Sequence, residues 1–264
     1  MDCRRSMESA GPTSSPTSKR DYGLAATGIF TGLVSLVVIW SILASPTITS
    51  PADQLSAFQS RPDVWDVHAA ALAMLAAFAI PWAALLASKL RSGGRGVAWA
   101  TALLFTTGVT LVAVAWLVLV GGLNAIVAAG TPPTAAEPTY LAAILSTFQS
   151  SLGTVGDLLG GFGLFLAAWL IWRTGTLPRW LTIVGFIGGI GGATSILVPF
   201  GNTVLFGAAI VWWTTTGILA LRRGGALQAG PSPRRPTNRP AHPEAGALGA
   251  AGPRDPSGSS SRRR

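Results

Sequence analysis

Six apolar runs dominate this chain, and each is close to the length that a helix needs to cross a lipid bilayer. About 20 apolar residues at about 1.5 Å per residue cover the roughly 30 Å of hydrocarbon in a membrane. Apart from Arg179 at the start of the fifth run, the only charged residue in them is Asp157. We therefore expect an all-α, polytopic membrane protein with six transmembrane helices, over the approximate ranges 22–44, 68–88, 97–122, 149–172, 178–199 and 203–221.

Lysine and arginine are distributed unevenly over the segments between these runs. All 19 of them except Arg61 lie before the first run, after the second, after the fourth or after the sixth. The alternate segments carry the acidic residues Asp53, Asp63, Asp66 and Glu137 instead. Because cytoplasmic loops are enriched in positive residues, both ends of the chain are predicted to lie in the cytoplasm. The predicted location is the inner (plasma) membrane of a bacterium.

Polar segments flank the apolar part of the chain on both sides. Residues 1–21 and 224–264 lack the apolar side chains that a packed core requires, and both are predicted to be disordered. Residues 22–223 form the predicted transmembrane domain. The net charge of +9 comes from the loops and the basic tail. Because the tail offers no folded basic face, we expect no nucleic-acid partner.

The composition excludes most chemistry that depends on clustered side chains. One cysteine and two histidines are too few for a disulfide framework and for most metal or haem sites. The chain has no HExxH zinc motif and no second aspartate within a run to pair with Asp157. Ser195 with His68 as its base leaves an intramembrane hydrolase as an alternative. We otherwise predict no catalytic residue, no metal, no cofactor and no enzymatic activity.

The fourth and fifth runs are rich in glycine, and several of these glycines are four residues apart. Small residues at this spacing let two helices approach closely inside a membrane. The connection between the runs is short, so the two helices are predicted to be antiparallel neighbours in tight contact. The glycines expected to serve in helix packing are Gly156, Gly160, Gly185, Gly188, Gly189 and Gly192.

Asp157 is the one carboxylate inside a predicted span, and intramembrane acids are often functional because burying their charge is costly. Two roles stay open for it: hydrogen bonding within the helix packing, or a proton or cation site. Asp66, His68, Asn124 and Asn202 are expected at the same boundary of the membrane. Together with Asp157 they form a candidate outward-facing polar pocket. Simple exposure to water at that boundary explains their polarity equally well.

Apolar residues recur at helical spacing in the segment before the fourth run. The pattern is typical of an amphipathic helix that lies on the membrane surface. The alternative is one long, tilted helix from Thr139 to Trp172, and both interpretations stay open. The repeating residues are Leu141, Ile144, Leu145, Phe148 and Leu152.

A short segment, Leu177-Pro178-Arg179-Trp180-Leu181, joins the fourth and fifth runs and is followed by two of the glycines. With this loop, residues 152–223 resemble a broad group of bacterial multi-pass membrane proteins of unknown function. The resemblance implies a six-helix membrane fold with the loop in the cytoplasm. It implies no catalytic residue.

These features predict a non-enzymatic membrane component in contact with the lipid bilayer. It would act as a homo-oligomer or as the partner subunit of another membrane protein. The alternative is a small-solute or proton-coupled transporter or channel that uses Asp157 in the outward-facing pocket. The runs show no convincing internal repeat, which disfavours a carrier, since many carriers are built from duplicated halves.

Overall fold

The computed structural model describes residues 16–45, 50–130, 136–198 and 200–228. Over these ranges the regular structure is entirely helical, with no strand. The predictions that fall on residues 1–15, on Pro199 and on residues 229–264 lie outside the described residues. The helices are α1 (Pro16–Ala44), α2 (Pro51–Ser60), α3 (Pro62–Leu90), α4 (Arg95–Ala128), α5 (Ala136–Thr174), α6 (Arg179–Thr194) and α7 (Gly201–Gln228).

All of these helices except the short α2 pack in a ring. Each contacts the helix before it and the helix after it, and α7 closes the ring on α1. Successive helices run in opposite directions because short connections join them. The two ends of the bundle therefore differ in charge. The acidic end carries Asp63, Asp66 and Glu137, and the basic end carries Lys89 and Arg173 among others.

Five helices, α1, α3, α4, α5 and α7, are long and apolar enough to cross a membrane. The chain is thus a multi-pass membrane protein in contact with lipid, as the apolar runs predicted. The helix α6 has 16 residues, about 24 Å at the usual rise per residue. Residues 195–197 form turns after it, so the predicted helix over 178–199 is helical only in its first part. The glycines of this run all lie inside α6. Pro199 disfavours a helical conformation at Val198, so the helix ends before the apolar run does.

Several helices extend beyond the apolar runs. The helix α1 begins at Pro16 and α7 ends at Gln228, so residues 16–21 and 224–228, predicted to be disordered, are helical. The helix α3 begins at Pro62, six residues before the predicted start, because proline suits the first turn of a helix. The helix α4 likewise covers more than the predicted 97–122. In an α-helix each backbone N–H bonds to the carbonyl four residues earlier, whether the side chain is polar or apolar. A helix can therefore continue beyond the last apolar residue of a run.

The helix α5 is one unbroken helix of 39 residues, which corresponds to the long-helix alternative. Its first part packs against α2, a helix that the sequence did not predict. Leu55 and Phe58 of α2 are buried there with Ala142 of α5. The Ser50 hydroxyl caps α2 by accepting a hydrogen bond from the Asp53 N–H at 3.1 Å. With only ten residues, α2 is too short for its periodicity to stand out in the sequence.

The predicted packing glycines on α5 lie against two different helices. Gly156 faces α4, where its Cβ would lie 2.7 Å from the Gly108 carbonyl oxygen, and the Gly160 nitrogen lies 2.4 Å from a Cβ built on Gly108. A Cβ on Gly160 itself would meet only the Leu205 Cδ2 of α7, at 3.9 Å. Gly161 faces α6, where a Cβ added to Gly192 would lie 2.7 Å from its Cα. Such short distances mean backbone-to-backbone contact with no room for a side chain. Gly156 and Gly160 therefore serve the α4–α5 contact rather than the predicted pair of α5 and α6.

The glycines of α6 lie against both of its neighbours. Gly189 and Gly192 lie against α5, and a Cβ on Gly189 would be 2.7 Å from the Phe165 Cβ. Gly185 and Gly188 lie between α5 and α7, and a Cβ on Gly188 would be 2.5 Å from the Ala208 Cβ of α7 and 2.7 Å from the Leu164 Cδ2 of α5. The helix α6 is thus held between its neighbours by close contact on both sides.

Candidate functional site

A cavity of about 460 Å³ opens between α1 and α7 in the half of the bundle nearest the acidic end. The helices α1 and α7 form its two sides, and side chains of α3, α4 and α5 form its floor. The sides are largely apolar and include Val38, Ile42 and Leu43 of α1 with Phe206, Gly207 and Ile210 of α7. The polar side chains lie mainly on the floor and at the start of α7.

Glycine placement explains why α1 and α7 touch at one level and enclose space at another. Nearer the basic end, a Cβ on Gly28 would lie 2.7 Å from the Trp213 carbonyl oxygen. One on Gly32 would lie 2.4 Å from the Thr214 methyl carbon. The two helices are in close contact there. Toward the acidic end the cavity lies between the two helices, lined mainly by branched and aromatic side chains and by Gly207, whose Cβ would meet nothing within 4 Å.

Asp157 lies on the floor of the cavity, on α5. Its carboxylate makes no ion pair and no hydrogen bond with any residue that the structure describes. Behind it, α6 passes so close that a Cβ on Gly192 would lie 2.6 Å from the Asp157 carbonyl oxygen. This contact fixes the backbone of α5 at Asp157, and a side chain carried on a rigid helix is suited to a binding site.

Asn202, the second residue of α7, lines the same cavity. Asn202 and Asp157 also line a smaller chamber of about 70 Å³, which reaches deeper between α4, α5 and α7. Phe105 and Trp213 line this chamber with their ring centroids 6.0 Å apart. The Trp213 Nε1–H is buried and has no hydrogen-bond partner among the described residues. A bound polar molecule or water would satisfy such a donor.

His68 of α3 is 5% exposed and lines the cavity from the side nearest α1. Its Nδ1 lies 2.7 Å from the Ser41 hydroxyl oxygen, which is also 2.7 Å from the Val38 carbonyl oxygen. When Ser41 donates its single proton to that carbonyl, His68 donates its Nδ1–H to Ser41. The other ring nitrogen, Nε2, is then a hydrogen-bond acceptor. The rings of Trp116 and His68 pack edge to face with their centroids 4.2 Å apart, which restricts the orientation of the imidazole.

Asp66 and Asn124 do not join this site. The Asn124 side-chain amide donates a hydrogen bond to the Asp66 carboxylate at 3.2 Å, on the exposed surface of the acidic end. Neither residue lines the cavity. Of the five residues in the predicted polar pocket, His68, Asp157 and Asn202 are brought together, and Asp66 and Asn124 form a separate pair.

The sequence did not single out Ser41 or Trp116 for the site. Trp116 lies deep in its apolar run, a position that is typical of a packing residue. Ser41 lies on a polar face of α1 together with Thr31 and Ser35, all fully buried. A hydroxyl inside an apolar run is the one sequence signal that could have drawn attention to Ser41.

The basic end of the bundle has a different arrangement. Lys89 of α3 forms an ion pair and hydrogen bond with Asp21 of α1, so the two charges neutralise each other. A second cavity, of about 240 Å³, lies beside Lys89. In the described part of the chain, no three His, Cys, Asp or Glu side chains lie close enough together to hold a metal ion.

Apolar helices packed in a ring around a cavity with a polar floor define a multi-pass α-helical membrane protein. The family described as a domain of unknown function, DUF4386, matches residues 22–222, and the chain belongs to this family. The match runs from α1 into α7 and therefore includes every lining residue of the cavity. No curated protein and no solved structure matches the chain. Membership agrees with the predicted resemblance to membrane proteins of unknown function.

Proposed function

We propose that this protein crosses a bacterial inner membrane six times and has both ends in the cytoplasm. The sixth span would be α6, which lies between the longer helices α5 and α7 and packs closely against both. The orientation is supported by the positive residues, nearly all of which lie on the basic side. In this orientation the cavity faces the outside of the cell.

We further propose that the protein is a non-enzymatic membrane component that binds a small molecule in this cavity. The observation that carries the proposal is the convergence of His68, Asp157 and Asn202, from three different helices, on one space of about 460 Å³. Ligand sites are commonly about 300–1,000 Å³, largely apolar, with a few convergent polar groups. This cavity has each of those properties.

The hydrolase alternative has little geometric support. The Ser195 hydroxyl donates a hydrogen bond to the Gly192 carbonyl at 2.8 Å, and Ser195 does not line the cavity in which His68 lies. A serine nucleophile requires a base within hydrogen-bond reach of its hydroxyl. We therefore keep the non-enzymatic role as the proposal.

Binding in the cavity can be tested with N-phenylnaphthylamine, a neutral apolar fluorophore, and the full chain in nanodiscs. Energy transfer from tryptophan to the probe reports binding close to the protein. We expect saturable transfer that is lost in Gly207→Phe, because a Cβ on Gly207 meets nothing within 4 Å and its side chain would fill the cavity.

Gly121→Phe is the matched control, since Gly121 also has open space around it but does not line the cavity. Equal transfer in the wild type and in Gly207→Phe would contradict the proposed ligand site.

Proton-coupled or small-solute transport is the second candidate. It is favoured by the deeper chamber, which continues from Asp157 and Asn202 toward Phe105 and Trp213. Purified protein in liposomes should then carry a proton or cation flux that Asp157→Asn abolishes. A flux of equal size in the variant would remove Asp157 from any transport role.

A homo-oligomer or a membrane partner subunit stays a proposal as well. The glycine faces of α5 and α6 are not available for it, because α4, α5 and α7 of the same chain occupy them. A stoichiometric partner recovered after mild detergent extraction would support the subunit role. An alkaline phosphatase fusion after Arg223 tests the orientation, and activity outside the cytoplasm would contradict it.

We also propose that the loop of residues 177–181 is a common feature of the family. Its support is structural: Leu181 is fully buried, and its carbonyl accepts a hydrogen bond from the Trp212 Nε1–H at 2.9 Å. Pro178 immediately precedes α6 at its cap. The loop thus fixes the start of α6 against α7.

A further inference from the structure

The lining of the cavity carries negative charge and no positive charge. Among its lining residues Asp157 is the only acid, and no lysine or arginine is present. The carboxylate therefore has no cation from the described part of the chain to balance it, in contrast to Asp21 at the basic end. An ionised carboxylate in a largely apolar enclosure binds a positive group and repels an anion.

Aromatic rings add a second preference for a cation. Trp116 and Phe206 line the cavity from α4 and α7, and His68 lies against the Trp116 ring. The faces of indole and phenyl rings attract ammonium groups, most strongly where water is excluded. A quaternary ammonium group, which donates no hydrogen bond, would still be held by such rings together with a carboxylate.

The sides of the cavity suit an apolar chain. Ile42 and Leu43 of α1 are 54% and 79% exposed, and together with Ile210 they line the opening between α1 and α7. These side chains lie within the segments long enough to cross a membrane. A ligand whose head reaches Asp157 would leave its chain in this opening, against apolar side chains.

The acidic end would increase the local concentration of such a ligand. Asp63, Asp66 and Glu137 are exposed there, and Arg61 is the only basic residue among the described residues of that end. A surface of one sign of charge attracts ligands of the opposite sign and raises their rate of association.

We propose that the cavity binds a cationic amphiphile, with its positive head at Asp157 between Trp116 and Phe206 and its apolar chain between α1 and α7. This inference rests on the proposed ligand-binding function and adds the chemical class of the ligand. It excludes fatty acids and other anionic amphiphiles as preferred ligands.

The test is competition for N-phenylnaphthylamine bound to the full chain in nanodiscs of zwitterionic lipid. The competitors share one ten-carbon chain and differ in the head: decyltrimethylammonium, decanol and decyl sulfate. We expect decyltrimethylammonium to displace the probe at concentrations at least about tenfold lower than the other two. Asp157→Asn should remove most of that preference, and Asp157→Glu should retain it.

Asp63→Asn is the matched control, because it removes the same charge from an exposed ion pair with Arg61 outside the cavity. Because the acidic end attracts cations only at long range, Asp63→Asn should reduce the preference by less than about twofold, far less than Asp157→Asn. Equal displacement by all three competitors, or an equal preference in Asp157→Asn, would overturn the inference while the binding function stands. Probe binding that Gly207→Phe does not reduce would instead overturn the binding function itself.

Discussion

Two aspartates of this protein lie in apolar helices at opposite halves of the bundle, and they are held in different ways. Asp21 of α1 is 7% exposed and is paired with Lys89 of α3. Asp157 of α5 lies at a cavity and has no charged partner in the described part of the chain. The paired carboxylate joins two helices. The unpaired one costs stability and leaves a negative group at the cavity, which the proposed ligand site requires.

The same contrast appears in the helix packing around the two residues. Near Asp157, glycines bring α5 and α6 into backbone contact, and the carboxylate faces away from them into open space. Near Asp21, two side chains span the distance between α1 and α3. Backbone contact therefore positions the helix that carries Asp157, and a side-chain pair links α1 to α3. Four substitutions test this comparison.

Gly192→Leu should have the largest effect. Its Cβ would lie 2.6 Å from the Asp157 carbonyl oxygen and 2.7 Å from the Gly161 Cα, and neither backbone atom can move alone. We expect a loss of at least about 2 kcal/mol in the free energy of unfolding, measured by dodecyl sulfate titration in mixed micelles. Gly121→Leu, whose Cβ meets nothing within 4 Å, is the control. Equal stability of the two variants would show that α5 and α6 need no close contact.

Asp21→Asn should have the next largest effect, because it leaves the partly buried Lys89 ammonium without its counter-charge. We expect a loss of about 1–3 kcal/mol in the free energy of unfolding. Adding Lys89→Gln should recover part of that loss, since an amide pair replaces the ion pair. If the single and the double variant are equally destabilised, the two residues are not coupled.

Asp157→Asn should not destabilise the protein, although it replaces a residue inside a span. Because the carboxylate has no partner to lose, we expect unchanged stability or a gain of up to about 1 kcal/mol. The dodecyl sulfate titration measures the free energy of unfolding of this variant alongside that of Asp21→Asn. A loss as large as that of Asp21→Asn would mean that Asp157 serves the packing, and the contrast between the two aspartates would be wrong.

Asn124→Ala should have the smallest effect. It removes an exposed hydrogen bond to Asp66 that joins α3 and α4 outside the cavity. We expect a change of less than about 0.5 kcal/mol in stability and no change in binding of the fluorescent probe. Reduced probe binding in this variant would mean that Asn124 and Asp66 contribute to the cavity site after all.

The sequence was sufficient for the class of protein and for part of the site. Apolar runs of bilayer length predicted the multi-pass helical bundle, and Asp157 was recognised because a carboxylate is rare inside such a run. The ends of the helices were predicted less well. Backbone hydrogen bonding continues in α1 and α3 beyond the apolar residues, so both helices are longer than the apolar runs. The helix α2 is stabilised by burying Leu55 and Phe58 against distant helices, which a local pattern does not reveal.

What the sequence determined by itself is local in origin: a run of apolar side chains must become a helix in lipid, because every backbone polar group needs a partner. What only the tertiary structure decided is which residues meet. Asp66 and Asn124 were expected beside Asp157 and form a pair elsewhere, whereas Ser41 and Trp116 joined His68. Glycines of α1 hold it against α7 at one level, the cavity lies between the same two helices at another, and such a crossing involves residues far apart in the chain.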